Sequence, residues 1–136
     1  MSHPAGLPDL FIDRSLGRLR VPQGLRAAGL RLVTLAEHYG IPADENVEDT
    51  TWLRDVGQLG WAVFMKDAEI RRRRTEQRAL IDGQVRAFCL TRQDLPAAEM
   101  IARFVANLPA ITAACTKPGP FIYAVQAKRI ERLRIG

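Results

Sequence analysis

With 136 residues and a formal net charge of +5, the chain has room for one well-buried domain and not for two. Its 47% hydrophobic and 26% charged residues are those of an ordinary soluble globular fold, and no apolar stretch approaches a membrane span. Two cysteines and two distant histidines exclude a disulfide framework and any zinc-ligand spacing.

The N-terminal stretch MSHPAGLPDLF has neither a basic start nor a signal-like apolar core, so a cytoplasmic location is expected. LPDLFID (7–13) is an apolar run ending in an acid and predicts a buried strand. Pro22 suits a helix's first turn and Gly29 its end, which predicts a helix over about 19–28 with Leu16, Leu19 and Leu25 facing inward. RLVTL (31–35) predicts a second strand, followed by a polar loop through Pro42. Over 50–59, Trp52, Val56 and Leu59 repeat on one helical face, with Gly60 as the stop.

WAVFM (61–65) is the third and most apolar predicted strand, and an arginine-rich helix follows over about 68–82. VRAFCL (85–90) predicts a fourth strand, with Cys89 packing as a small hydrophobe. Asp94 and Pro96 then open an amphipathic helix whose Ala97, Ile101, Phe104, Val105 and Leu108 share a stripe, Asp94 serving as its N-cap. TKPGP (116–120) is a turn, FIYAV (121–125) a fifth strand, and 127–136 a basic tail. One domain over 1–136 results, with its core at about 7–126.

Strands alternating with helices predict an α/β/α three-layer fold around a mostly parallel five-stranded sheet, order 2-1-3-4-5. In that order the first and third strands lie side by side, and their carboxyl ends form the topological switch point where open α/β sheets bind ligands. Asp13 and Asp67 fall there, and Asp49 opens a nearby helix, where it also suits an N-cap. Carboxylates about 5 Å apart at an effective dielectric near 20 repel by roughly 3 kcal/mol, so a shared proton or a cation is needed between them. Hard oxygen donors of this kind suit a hard dication such as Mg2+, which points to metal-assisted hydrolysis of a phosphodiester. Glu45 and Glu48 are alternative acids, and Glu69, two residues past Asp67, is a further candidate ligand.

The basic residues are segregated from these acids. Lys66 and Arg71, Arg72, Arg73 and Arg74 flank Asp67 and could hold the phosphates on either side of the scissile bond without reading sequence. Trp52 and Trp61 read as core rather than as stacking platforms. With no Walker loop, no GxGxxG and no strand-turn-helix elbow around Ser15, nucleotide hydrolysis, dinucleotide binding and a serine triad lack their machinery.

FID with LGRLRVPQGLRAAG, then DTTWL, then GWAVFMKDAEIR, resembles the PIN-like domains of bacterial toxin–antitoxin systems, in particular VapC-type toxins, from about Leu7 to Tyr123. The resemblance implies a Mg2+- or Mn2+-dependent endoribonuclease held inactive by a cognate antitoxin. By position it places Asp13 and Asp67 at the ends of two strands and Asp49 between them, with Glu69 the nearest substitute for a fourth acid. A homodimer would bring two basic rims together. The competing expectation is a non-catalytic nucleic-acid-binding or protein-interaction module with a degenerate acidic site.

Overall fold

The sheet is built from β1 (Leu10–Ile12), β2 (Leu32–Thr34), β3 (Ala62–Met65), β4 (Arg86–Cys89), β5 (Phe121–Val125) and β6 (Ile130–Leu133). These strands belong to a computed structural model that describes residues 2–136; Met1, part of the predicted domain, lies outside the described residues. Their order is β2-β1-β3-β4-β5-β6, parallel throughout except for β6, which runs antiparallel to β5. The predicted order is therefore present, extended by one strand. That strand corrects the basic tail: Ile130, Leu133 and Ile135 pack on the core, while Lys128, Arg129, Arg132 and Arg134 remain exposed.

The helices are α1 (Arg20–Ala27), α2 (Leu35–Tyr39), α3 (Asp49–Leu59), α4 (Arg74–Asp82), α5 (Ala97–Ala106) and α6 (Leu108–Ala114). Side chains alternate across a strand, and here the alternation divides the core in two. Leu10, Ile12, Phe64 and Phe88 face α1, α5 and α6 through Leu25, Phe104 and Ile111. Phe11, Val63, Met65 and Cys89 face α3 and α4 through Trp52, Leu53 and Leu80. Stacked rings lock each side: Phe64 on Phe104 at 4.1 Å and Phe11 on Trp52 at 5.3 Å between centroids. Fully burying one such side chain contributes about 1.5–3 kcal/mol, so both faces of the sheet are firmly held.

Several local expectations are corrected. The loop predicted after the second strand begins with α2, whose start is a capping box: Glu37 N donates to Thr34 Oγ1, and Thr34 N donates to the Glu37 carboxylate. The arginine-rich segment forms a 3-10 turn (Ala68–Arg71) before α4 begins at Arg74. The long apolar helix breaks at Asn107, whose side-chain amide donates to the carbonyls of Arg103 and Gln126 at 2.8 Å each. Asp94 pairs with Arg92 instead of capping α5, which starts after Pro96. Leu19 is 68% exposed, because it precedes α1 and does not share its buried stripe.

α3 and α4 approach each other through glycines. A Cβ on Gly57 would lie 2.5 Å from the Gly83 carbonyl oxygen and 2.9 Å from its Cα, both rigid backbone atoms. Gly57→Ala is therefore expected to lower stability by roughly 1–3 kcal/mol, even though alanine is the better helix former. Urea denaturation measures it, and an unchanged midpoint would mean that the two helices separate freely.

Candidate metal centre at the carboxyl edge of the sheet

Register fixes the first member of the site. Ile12 pairs with Phe64, and the Asp13 amide continues the ladder by donating to the Phe64 carbonyl at 3.1 Å. The chain then turns into a 3-10 segment (Arg14–Leu16) in which Ser15 donates to Asp13 Oδ2 from its hydroxyl at 2.7 Å and from its amide at 3.3 Å. The same hydroxyl accepts from the Lys66 amide at 2.8 Å, tying the end of β1 to the end of β3. Asp13 is only 3% exposed, and its other oxygen, Oδ1, is buried with no hydrogen-bond partner. Burial above all pushes its carboxyl above the usual aspartate range; the Ser15 hydroxyl opposes the rise, and the nearby charge of Asp49 adds to it.

Asp67 follows β3 and accepts from the Glu69 amide at 3.2 Å, capping the 3-10 turn. Its two oxygens also accept from Arg73 Nη2 at 2.8 and 2.7 Å. Nη1 of that guanidinium lies 3.2 Å from Glu76 Oε1 and 3.7 Å from Asp49 Oδ2. One cation therefore stands among three carboxylates.

Asp49 is the first residue of α3. Glu48, not Asp49, takes the cap position, and its side chain makes no capping bond. Asp49 Oδ1 instead accepts from the buried Trp52 indole at 2.8 Å, which fixes the carboxylate to the core. The preceding loop is gripped by Arg14, which donates to the carbonyls of Asp44 and Val47. Asp44 is itself buried and paired with Arg18 at 2.6 Å.

Residues 8–92 match the PIN like domain family. The chain belongs to that family. It is also 46% identical over 129 residues, 95% of this chain and 94% of the relative, to a Mycobacterium tuberculosis protein named "Putative ribonuclease VapC45". No solved structure matches.

In this PIN-like chain the predicted residues divide into three sets. Asp49 and Asp67 meet at Arg73, and Asp13 is close enough to feel the charge of Asp49. They do not form a common cage: among the described residues no three His, Cys, Asp or Glu side chains are spaced to hold one metal ion. Asp49 and Asp67 instead share the guanidinium of Arg73, whose positive charge offsets their mutual repulsion. Glu69 is exposed and 3.8 Å from Arg72. Glu45 is exposed, 4.0 Å from Arg18, and Glu48 is exposed on the rim beside Asp49.

Among the basic residues, Arg71 donates to the Arg134 carbonyl at 3.0 Å and anchors the residue that follows the C-terminal strand. Arg72 and Arg74 are exposed, and Lys66 lines an open cavity of about 550 Å³ with Ser15, Asp67, Glu69, Thr91 and Gln93. A second cavity of about 390 Å³ lies between Arg14, Glu48, Asp49, Thr75 and Glu76. Cys89 lies buried under the site; burial first, then the charges of Asp67 and Asp13, push its thiol up to about 12, so it is an inert packing group.

Sequence reasoning missed Ser15 and Glu76. Ser15 was visible as the hydroxyl two residues after the first aspartate, a spacing that favours a local side-chain turn. Glu76 was visible only as the acid three residues after Arg73, on the same helix face.

The oxygen donors Asp13, Asp49, Asp67 and Glu76 suit a hard dication, and the buried, unpaired Asp13 Oδ1 is a group that such an ion would satisfy. Without metal, ionised Asp13 opposes folding. Its pKa is raised in the folded state, so the associated stability is present below the unfolded value and lost as pH rises through the folded one. In EDTA, Asp13→Asn is expected to stabilise the protein by about 1 kcal/mol near neutral pH. That gain should shrink as pH falls towards the ordinary aspartate range, about 4. Urea midpoints across pH test this; a variant no more stable than its parent at neutral pH would show that the Asp13 charge is already relieved.

Proposed function

We propose that this chain is a divalent-metal-dependent endoribonuclease, the toxin of a toxin–antitoxin pair, working at the carboxyl edge of β1 and β3. The observation that carries the reading is Asp13: a carboxylate buried at a topological switch point, with one oxygen unpaired and the charge of Asp49 nearby. Family membership and the likeness to a relative with a ribonuclease name support it. Structural acids are usually paired or exposed, whereas unrelieved burial of charge is characteristic of functional sites.

Bound Mg2+ or Mn2+ would supply an activated water and charge stabilisation for the departing oxygen of the phosphodiester. Asp13 and Asp67 are the residues best placed to hold the ion, with Asp49 and Glu76 completing the acidic wall. Ser15 orients Asp13 by donating to Oδ2 while Oδ1 stays buried and unpaired, and its bond to the Lys66 amide ties the two strand ends together. Trp52 holds Asp49 in one rotamer. These bonds mean that the carboxylates need little reorganisation to act, which is how an enzyme favours a developing charge.

The RNA backbone would run through the cavity lined by Lys66, Thr91 and Gln93, with Arg72 and Arg74 on the adjoining rim. Gln93 donates to the Lys66 carbonyl at 2.9 Å, which braces that wall. Contacts of this kind position phosphates and give salt-dependent affinity without base selection. The cognate antitoxin would restrain the toxin by covering this edge.

Asp67→Asn is expected to lower RNA cleavage at least about a hundredfold, the scale for losing a group that stabilises transition-state charge, while the circular dichroism spectrum stays unchanged. EDTA should abolish cleavage by the parent, and Mn2+ or Mg2+ should restore it. Cleavage by Asp67→Asn at the parental rate would remove this residue from the mechanism. RNA binding that survives EDTA, with no cleavage in either metal, would instead identify a non-catalytic binding module.

A further inference from the structure

Arg73 is the one side chain that contacts three of the site's carboxylates, and its position is unusual for a phosphate-binding arginine. It sits immediately before α4 with an extended backbone (φ −73, ψ 123), so its side chain reaches back over the turn that carries Asp67. Nη2 is within 2.8 Å of both Asp67 oxygens, and Nη1 faces Glu76 and Asp49. The Arg73 side chain is nevertheless 43% exposed. Its neighbours Arg72 and Arg74 already lie outward.

We propose that Arg73 is an internal counter-cation that competes with the dication for the acids, holding the metal-free site closed and leaving it when metal binds. The inference rests on the metal-dependent reading above and adds the residue that sets how much free metal the site needs. Three observations support it. Asp67 presents both of its oxygens, and Asp49 and Glu76 one each, to the guanidinium, so a dication drawn to those oxygens would have to displace it. Asp13 Oδ1 stays unpaired while Arg73 is in place, so the arginine relieves the outer acids but not the innermost one. The half-exposed side chain is held by hydrogen bonds and ion pairs to carboxylates and belongs to neither core cluster, so it can swing towards solvent. A group that binds the metal-free state alone weakens metal binding by its own differential affinity.

The test is Mn2+ binding by isothermal titration calorimetry to the parent and to Arg73→Gln, which removes the charge and shortens the reach. The variant should bind Mn2+ about tenfold more tightly, the scale of losing charge-assisted hydrogen bonds at a partly exposed site. Binding that is equal or weaker overturns the proposal while leaving the metal site standing. If neither protein binds Mn2+, the metal-dependent reading falls and this inference falls with it.

A measurement on the parent alone guards against a variant that folds poorly. Mg2+ titration followed in 15N–1H spectra of the arginine side chains should move the Arg73 Nε resonance, identified by its absence in Arg73→Lys, in step with metal uptake. An unmoved Arg73 resonance at saturating Mg2+ overturns the proposal equally.

Discussion

Crowding negative charge at one edge of a parallel sheet is unfavourable, and the architecture around that edge is organised by how the repulsion is relieved. Asp13 is kept off water by β1, β3 and the 3-10 turn at Arg14–Leu16, with a single hydroxyl partner. Asp49 and Asp67 come from separate elements on the same side and share Arg73 with Glu76. An acid relieved by burial alone would take up a proton, and one relieved by exposure would not be positioned. Here burial positions the innermost carboxylate, and the Arg73 guanidinium offsets the charge of the outer ones.

The rigidity needed to hold such a site comes from the two cores. Phe64 on Phe104 and Phe11 on Trp52 clamp the sheet from both faces directly behind the acids. Trp52 has two tasks, since its ring fills the core while its indole nitrogen holds Asp49. Ser15 joins the two strand ends that the sheet order already makes neighbours. Arg14 and the Arg18–Asp44 pair steady the loop that delivers α3. Stability and site geometry are therefore carried by the same residues.

The strands were legible in the sequence because parallel strands buried on both faces appear as short continuous apolar runs. LFI, LVT, AVFM, RAFC and FIYAV all lie within the predicted segments, and the order of the first five follows from the alternation with helices. α2 was hidden because it is only five residues long; its signal was the Thr34-to-Glu37 spacing of a capping box, not hydrophobic periodicity. β6 was hidden because an edge strand needs only one buried side, and its charges suggested a solvated tail. At the site, the acids at the strand ends could be named from topology. The partnership of Arg73 with them could not, because a run of four arginines gives no sign of which one turns inward.

The inward connection of Arg71 has a practical consequence. Its side chain holds the Arg134 carbonyl, its own carbonyl accepts from the Gly136 amide, and Gly136 packs near Gln77 of α4. The last residues of the chain are thus stitched to the turn between Asp67 and Arg73. Any tension on the chain at Gly136 is therefore transmitted through Arg71 to that turn.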